Sequence, residues 1–567
     1  MTARPGRRAR CLAATAIGAA GLLVAVPALP ATATPATAPA TAAPAAAPAV
    51  IPKPVTTIAG HGTFQLTRHT HVVAGGRARS VARSLTAALR PATGFALPVR
   101  GGAVHRGDIE LRLADPGTLP AAARAEGYQL SVTSGHVSLV APTRHGLFDG
   151  VQTLRQLLPA RIDSRHRVNG PWTIPATSIT DYPRYAYRGF MIDIARHYRT
   201  PGEVKKLIDI ASTYKMDVLH LHLSDDQGFR VVIKGFPRLT AIGGQGSVGL
   251  HGQTMDPGGY WTQADYRSVV AYAGRHFMSV VPEVDSPSHN NAIVMSEYGD
   301  VHNPRLDGHP QDINCGLNQP PTWNYTMDVG FSGACPESAN TWAIYRAIIG
   351  QLSAMSTSPY YHLGGDEASR VFTPERYSAF VNEESDLVQA FGKTPMGWAD
   401  GYATVAGTTP PAGSVAESWL PGATDAAAAV QKDMKVVMAP ADHTYLDQTL
   451  PNDDSGLGLD WACPACDLDK AYDWDPGSFP GVPDSSVLGV EGAMWSETLR
   501  SLGDVEYLLL PRLLAVAEVA WSPAADRSGP SSAAFADFTR RVAAQQPRFD
   551  AQHLRYYRSA EVPWPNP

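Results

Sequence analysis

Tyr361–Glu367 has the sequence YHLGGDE, in which an aromatic and apolar start leads to two glycines and ends on two adjacent carboxylates. The start predicts a short β-strand that breaks at Gly364-Gly365, because glycine permits a sharp bend and close ligand approach. Asp366 and Glu367 would then stand on a rim. Neighbouring acids repel, so one of them should hold a proton more readily than a free acid. General acid catalysis needs such a carboxyl group. The alternative is a surface Asp-Glu pair that begins a helix.

The strand of this stretch is the fourth of eight strand-like apolar runs that alternate with helical patterns from Tyr185 onward. The runs start near Arg188, Asp217, Ser279, Tyr360, Thr394, Ser414, Lys435 and Val487. Helical periodicity between them is clear in EVKKLIDIASTYK (203–215) and WAIYRAIIGQLSAM (342–355). Eight strand–helix units predict the α/β class and a (β/α)8 TIM barrel over residues 183–567.

A smaller α+β domain is predicted before the barrel, over residues 51–182. HTHVVAGG (69–76), IELRLAD (109–115) and GYQLSVTSGHVSLVAP (127–142) have the alternation and turn residues of strands. Residues 146–158 have the periodicity of an amphipathic helix.

The N-terminus has the pattern of a secretory signal peptide, over residues 1–33. Arg4, Arg7, Arg8 and Arg10 precede an apolar stretch that ends near Leu29. The Arg7-Arg8 pair leaves twin-arginine export open, and a membrane anchor is the alternative. Residues 34–50 form an Ala/Pro/Thr-rich linker. We therefore expect a secreted protein with no membrane contact in its mature form.

The bulk composition narrows the classes of partner. The 567 residues carry a net charge of -5, and no basic run follows the signal, so we expect no nucleic acid partner. Export and four remaining cysteines suggest disulfides. Three pairings are possible, and chain proximity favours Cys315–Cys335 and Cys463–Cys466. A redox role for CPAC (463–466) and a zinc site of four thiols are the weaker alternatives.

Acids, aromatic residues and one arginine follow the predicted strand ends, where barrel enzymes place their chemistry. They are Arg196, Asp225, Asp226, Asp285, His289, Asp366, Glu367, Trp398, Asp400, Trp419, Tyr445, Asp447, Trp495 and Glu497. Indole rings beside carboxylates are suited to a sugar, although each tryptophan alone is more often a core residue. Adjacent residues of a strand point to opposite faces, so Asp366 and Glu367 are poorly placed as a facing nucleophile and acid. That arrangement suggests a nucleophile supplied by the substrate.

HLGGDE (362–367) resembles the signature of the family 20 glycoside hydrolases, the β-N-acetylhexosaminidases. Further stretches resemble family blocks in the family's order: RGFMIDIARHY (188–198), HLHLSDDQGFR (220–230), VPEVDSPSH (281–289), GWAD (397–400), YLD (445–447) and AMWSE (493–497). The resemblance implies an exo-acting enzyme that removes terminal N-acetyl-β-D-hexosamine from oligosaccharides. It implies substrate-assisted retention through an oxazolinium intermediate, the exception among glycosidases, with no cofactor and no metal.

The resemblance also implies a role for each motif residue. Glu367 would be the general acid and base, and Asp366 would orient the 2-acetamido group. Tyr445 would bond the acetamido oxygen, while Asp225 and His289 would support Glu367. The remaining residues would bind the sugar: Trp398, Trp419 and Trp495 as walls, and Arg196, Asp447 and Glu497 at its hydroxyl groups. Two positions depart from the family pattern, Ser288 where glycine is common and Phe229 where bacterial members often have tryptophan.

Two other functions are compatible with parts of the pattern. His220 and His222 alternate on the second strand and, with Asp285 and His289, would make a zinc site for hydrolysis. Two core histidines with satisfied partners are the simpler interpretation of this pair. A sugar-binding protein without catalysis would keep the tryptophans, but the intact Asp366-Glu367 pair argues against it.

Overall fold

The computed structural model describes residues 48–117, 119–249, 256–527 and 532–565. The expected signal peptide, and the expected linker up to residue 47, lie outside the described residues. Within the described part of the chain, no helix is both long enough and apolar enough to cross a membrane.

Eight parallel strands close into a barrel, as the alternating pattern predicted. Its strands are β8 (Tyr187–Asp193), β9 (Val218–His222), β12 (Ser279–Glu283), β13 (Tyr360–His362), β14 (Thr394–Trp398), β15 (Val415–Ser418), β16 (Lys435–Met438) and β17 (Val487–Met494). Each begins within one residue of the start expected from the sequence. A short antiparallel hairpin, β10 (Ser224–Asp225) and β11 (Gly228–Phe229), directly follows the C-terminal end of β9.

A mixed seven-stranded sheet precedes the barrel, in the order β1-β7-β5-β6-β4-β2-β3. Its strands are β1 (Thr56–Gln65), β2 (Val72–Ala74), β3 (Val99–Arg100), β4 (Ile109–Leu113), β5 (Tyr128–Val132), β6 (Val137–Ala141) and β7 (Thr173–Asp181). Helices α1 (Ala78–Thr93) and α2 (Arg144–Leu157) bury their apolar faces against this sheet in a core of its own.

The remaining helices lie between and after the barrel strands. They are α3 (Pro201–Thr213), α4 (Arg238–Ala241), α5 (Gln263–Arg275), α6 (Asn291–Glu297), α7 (Ala339–Met355), α8 (Pro374–Ala390), α9 (Ala399–Tyr402), α10 (Ala426–Gln431), α11 (Ala441–Thr444), α12 (Leu468–Tyr472), α13 (Leu502–Leu509), α14 (Arg512–Trp521), α15 (Ser532–Ala543) and α16 (Gln546–Gln552). Helix α3 shows why such starts are sharp: Thr200 and Glu203 cap its first turn reciprocally, with proline in first position.

Buried ion pairs join the sheet domain to the barrel. Lys215 of the barrel places Nζ 2.7 Å from Oδ2 of Asp181 at the end of β7. Trp521 donates from Nε1 to the other oxygen of Asp181 at 2.9 Å. Arg188 pairs with Glu126 of the sheet domain and with Asp217. Removing one partner of such a pair leaves a buried charge uncompensated, so these contacts should hold the two parts in one register.

Two disulfides, Cys315–Cys335 and Cys463–Cys466, join the cysteines in the pairing that chain proximity favoured. Both lie in long connections above the barrel, the first between β12 and β13 and the second between β16 and β17. Each therefore closes a loop at the same end of the barrel as the site described below.

Candidate active site

A cavity of about 370 Å³ opens at the C-terminal ends of the barrel strands, within the usual size of a small-molecule site. Its lining consists of Arg196, Asp225, Asp285, His289, Met327, Val329, Asp366, Glu367, Trp419, Tyr445, Asp447, Leu459, Trp461, Trp495 and Glu497. Of the residues with an expected role, all but Trp398 therefore meet in one cavity, although they are spread through about 300 residues of sequence; Asp226 and Asp400, which also follow strand ends, do not line it.

The backbone at two site residues adopts a conformation that side chains other than glycine rarely take. His289 has φ 50° and Glu367 has φ 49°, both in the left-handed region, where such strain often marks functional sites. Gly364 and Gly365, just before the two carboxylates, have φ 76° and 103°, and a Cβ atom on Gly364 would overlap Oδ1 of Asp285. The two glycines of the motif are thus required by the turn that brings both carboxylates to the rim.

Glu367 belongs to a line of alternating acidic and basic groups. Its Oε2 lies 3.1 Å from Nε2 of His289, and Nδ1 of His289 lies 3.4 Å from Oδ1 of Asp225. The other oxygen of Asp225 is 2.7 Å from Nη2 of Arg196. Arg196 is therefore tied to Asp225 as well as facing the cavity, and its guanidinium also stacks on Trp495 at 5.0 Å.

The charges in this line follow from its contacts. Burial alone disfavours a charged His289, but the Asp225 carboxylate, together with the contacts to Asp225 and Glu367, outweighs burial and holds the pKa of His289 well above its usual value. Burial would raise the pKa of Asp225, yet Arg196 and His289 keep it well below its usual range. Burial likewise opposes ionisation of Glu367, but the hydrogen bond and the charge of His289 lower its pKa. These shifts favour a Glu367 carboxylate beside a His289 imidazolium.

Asp366 differs from its neighbour. Burial, and then the nearby Asp285 carboxylate, raise the pKa of Asp366 well above its usual value. Asp285 is in turn held by the backbone N–H of Gly365, which donates to its Oδ1 at 3.0 Å. Oδ1 of Asp366 is buried and has no hydrogen-bond partner within the described part of the chain. Burial raises the pKa of Asp285 as well, so this pair of acids favours protonation, and of the two adjacent motif acids Asp366 holds a proton more readily than Glu367.

Aromatic rings form one wall of the cavity. Trp419 and Tyr445 lie nearly parallel with centroids 6.3 Å apart, and Trp495 lies 6.1 Å from Tyr445. Asp400 fixes Trp419 by accepting from its Nε1 at 2.7 Å. The indole N–H of Trp495 is buried without a partner among the described residues, so it can serve a bound ligand.

Trp398 does not line the cavity, contrary to its expected place in the wall. It is fully buried at the end of β14, with its centroid 5.8 Å from that of Trp495. Its Nε1 donates to Oε1 of Glu283 at 2.9 Å, because the side chain points into the barrel rather than over its rim. In this structure Trp398 supports the wall from below.

Trp461 completes the wall and was missed by the motif search. It is 50% exposed and lies edge-on to Trp419 and Tyr445, at 5.7 and 5.8 Å. It stands two residues before Cys463 in the connection between β16 and β17, and Met327 and Val329 line the cavity from another loop. The available signal was a lone tryptophan in a polar loop, shortly after Tyr445 and Asp447.

Two further acids line the cavity beside Arg196. Burial and the nearby Glu497 raise the pKa of Asp447 to about 8, and burial also raises the pKa of Glu497 despite Arg196. Neutral carboxyl groups both donate and accept hydrogen bonds. These three side chains are therefore suited to a ligand with several hydroxyl groups.

The histidines considered as metal ligands lie one layer deeper and are occupied by carboxylates. His220 places Nδ1 2.7 Å from Glu491 and Nε2 3.2 Å from Glu283. His222 contacts Glu283 and Asp225, at 2.5 and 2.9 Å. His222 thus has a hydrogen-bond partner at each ring nitrogen, as expected of a core histidine, whereas Nε2 of His220 makes no hydrogen bond within the described part of the chain.

The two departures from the family pattern are accommodated by packing. Ser288 is buried and donates from Oγ to the Ser332 carbonyl at 3.1 Å, which ties the turn before His289 to a neighbouring loop. Phe229 is fully buried in the barrel's main apolar core. Neither residue lines the cavity.

Comparison with known proteins agrees with this geometry. Residues 185–524 match the model of glycosyl hydrolase family 20, catalytic domain, and residues 47–182 match glycosyl hydrolase family 20, domain 2. A β-N-acetylhexosaminidase of Cellulomonas fimi is 37% identical over 528 residues, covering 92% of this chain and 98% of the relative.

Solved structures show the same likeness. The family 20 β-N-acetylhexosaminidase of Streptomyces coelicolor A3(2) superposes with a TM-score of 0.81 at 37% identity, over 91% of this chain and 99% of that one. The Streptomyces plicatus N-acetyl-β-hexosaminidase in complex with Thio-NAglucal also gives 0.81 at 37%, over 93% and 99%. The chain belongs to glycosyl hydrolase family 20.

Proposed function

We propose that this protein is an exo-acting β-N-acetylhexosaminidase that removes terminal, non-reducing N-acetylhexosamine with retention of configuration. The observation that carries the proposal is the unpartnered, buried Oδ1 of Asp366 beside an aromatic wall. A 2-acetamido group would satisfy that atom through its N–H while its methyl group packs on the rings of Trp419, Tyr445 and Trp495. The acetamido oxygen would then lie beneath C1.

With the substrate bound in this way, the reaction would proceed in two steps. Glu367 protonates the leaving oxygen as the acetamido carbonyl oxygen attacks C1, which gives a cyclic oxazolinium ion. Asp366 stabilises the charge that develops on its nitrogen, and Tyr445 bonds the oxygen. Water then attacks C1 while Glu367 takes its proton. A nucleophile held within the substrate removes most of the entropic cost of the first step.

In this mechanism, substrate binding changes the protonation of both Asp366 and Glu367. An amide N–H facing Asp366 favours its carboxylate form, because hydrogen bonds to a charged group lower an acid's pKa. Water displaced from Glu367 raises its pKa in the opposite direction. The His289 proton, which lies toward Glu367 at a nitrogen–oxygen distance of 3.1 Å, is close enough to compensate. The pair of acids thus exchanges protonation states when the ligand enters.

The remaining parts of the proposal concern the molecule in its surroundings. We infer that residues 1–33 are a secretory signal and that the mature protein acts outside the cell. We also infer a division at 51–182 and 183–567, with Arg196, Asp447 and Glu497 at the sugar hydroxyls. A cavity at the strand ends with the half-exposed Trp461 in its lining suits chitin fragments or glycans presented by their ends.

Aryl β-glycosides with and without the 2-acetamido group test the function directly. We expect turnover of the N-acetylglucosaminide or N-acetylgalactosaminide and almost none of the matching glucoside or galactoside. Asp366→Asn should lose most turnover and most affinity for a thiazoline analogue of the intermediate. Asp386→Asn, an exposed carboxylate on α8, is the control and should change neither. Equal turnover of plain glycosides, or unchanged thiazoline affinity in Asp366→Asn, would contradict the proposal.

A further inference from the structure

The line of charges behind Glu367 continues into the barrel beyond Asp225. His222 stands at the end of β9, where its Nε2 lies 2.9 Å from Oδ2 of Asp225. Its other ring nitrogen, Nδ1, lies 2.5 Å from Oε2 of Glu283 at the end of β12. The two strands pair in register at these residues, so both side chains point into the same layer of the barrel.

The geometry determines the protonation of His222. Both ring nitrogens face carboxylate oxygens, and only a doubly protonated imidazolium donates from both. Burial alone would lower the pKa of His222, but the Glu283 charge and the hydrogen bonds to Asp225 and Glu283 raise it to about 9. A buried cation therefore stands between two buried anions, and each end of the ring has a fixed partner.

Glu283 is the point where several groups meet. Its Oε1 accepts from Trp398 Nε1 at 2.9 Å and faces His362 Nδ1 at 3.2 Å. Its Oε2 faces His222 and also His220, at 3.2 Å. It is fully buried, and these cationic and dipolar neighbours outweigh burial and keep its pKa well below the usual value. One carboxylate thus connects the tryptophan behind the wall to the line that ends at Glu367.

We propose that His222 and Glu283 are positioning residues for Glu367. Glu283 holds His222 as an imidazolium, His222 and Arg196 hold Asp225, and Asp225 holds His289 against the Glu367 carboxylate. The inference rests on the proposed function, because it takes Glu367 as the acid and base. It extends the support of Glu367 from the rim into the interior layer of the barrel.

Other titratable groups face this pair and set its background charge. They are His220 on β9, Asp225 on β10, Asp285 after β12, His362 on β13, Glu417 on β15, Glu491 on β17, Tyr187 and Asp193 on β8, and Arg196 in the loop after β8. Burial and then the Glu491 charge raise the pKa of Glu417 well above its usual value, so this layer holds fewer charges than it has carboxyl groups.

The test uses Glu283→Gln, His222→Gln and the double variant, with kcat/KM of an aryl N-acetylhexosaminide measured from pH 4 to 10. In Glu283→Gln the second proton of His222 loses its anionic partner, so a new ionisation should appear between about 6.5 and 9. Above the pH of this ionisation, kcat/KM should fall by about 10- to 100-fold, the loss that is typical when residues that orient the ligands of a metal site are replaced. His222→Gln should show the loss without the new ionisation. The double variant should lose no more than the worse single variant, because both act through one chain.

Glu297→Gln is the matched control, a buried glutamate on α6 that is outside this line. Its pH profile should follow the wild type. A Glu283→Gln variant with a lower melting temperature but a wild-type pH profile would overturn the proposal. If Glu283→Gln fails to fold, His222→Gln decides alone, and wild-type kcat/KM at every pH would overturn it. Absence of turnover in the wild type would instead refute the proposed function.

Discussion

Replacing Glu367 with Gln removes the proposed proton donor while changing little else. The side chain is about one-third exposed, at 36%, and among the residues that the structure describes its one short side-chain contact is with His289. The amide oxygen of Gln still accepts that hydrogen bond. Because an ion pair at this exposure stabilises a fold by at most about 1 kcal/mol, the melting temperature should barely change.

The catalytic cost should be large and should depend on the leaving group. Loss of general acid catalysis typically costs a factor of about 10²–10⁴, which is about 2.7–5.4 kcal/mol of barrier at 1.36 kcal/mol per tenfold. A poor leaving group needs the proton most and should lose the larger factor. A nitrophenolate leaves without help and should lose the smaller one in its first step.

The assay is kcat/KM for a series of aryl N-acetylhexosaminides, ranked by the acidity of the departing phenol. The slope of log kcat/KM against that acidity should steepen in Glu367→Gln. Glu383→Gln, an exposed glutamate on α8, should retain the wild-type slope. A uniform loss across the series would show that Glu367 is not the acid, and a collapse in melting temperature would show that its role is structural.

Three further outcomes follow from the burial of particular side chains. Trp495→Ala should raise KM and also destabilise the fold by about 3–5 kcal/mol. The reason is that the ring is only 9% exposed and packs on Trp398 and Tyr445. An unchanged denaturation midpoint would contradict this prediction. Trp461→Ala should leave the melting temperature unchanged, since the ring is 50% exposed, yet raise KM for oligosaccharides more than for aryl monosaccharides; equal effects on both would exclude contact with the leaving sugar. Burial raises the pKa of Glu384 to about 8, above its unfolded value near 4.3. The neutral form of Glu384 therefore stabilises the fold fully below about pH 4. That stabilisation is lost as the pH rises through about 8. Glu384→Gln should therefore lose less stability than the wild type between pH 5 and 9, by a few kcal/mol in unfolding free energy, and parallel curves for the two proteins would refute the assignment.

The barrel was predictable from sequence because its signals are local. A parallel strand that is buried on both faces appears as a short apolar run, and helices between such runs have a different period. Even the strand that ends at His362 was detectable, although it spans three residues, because two glycines mark its end. The motif residues at strand ends then had to meet, since parallel strands bring their C-terminal ends to one face.

Side-chain direction past a strand end was not predictable in the same way. Trp398 is the last residue of β14 and points into the barrel toward Glu283, whereas Trp419 directly follows β15 and bonds Asp400 beside the cavity. The apolar pattern of the two runs does not distinguish these two positions. Trp461 was missed for a related reason, because a long loop carries no periodicity and its path depends on packing and on a disulfide.

The protonation of the two motif acids shows how far adjacency alone can lead. Repulsion between neighbouring carboxylates predicts that one of them holds a proton, but it does not say which. The choice depends on residues far away in sequence: His289 lies 78 positions before Glu367 and stabilises its anion, while Asp285 raises the pKa of Asp366. Which of the two acids holds the proton thus depends on the residues around the pair.

The polar residues around the two acids lie in two layers, one at the rim of the barrel and one inside it, and the two layers differ in their sequence patterns. The rim residues follow strand ends and cluster in recognisable motifs, so a search by motif finds them. His222, Glu283, Glu417 and Glu491 each come from a different strand, where they interrupt an apolar run. A buried charge is costly unless it is paired, so ionisable residues in the apolar runs of several strands of one barrel imply partners across its interior. By that argument, these four residues predict one network beneath the rim.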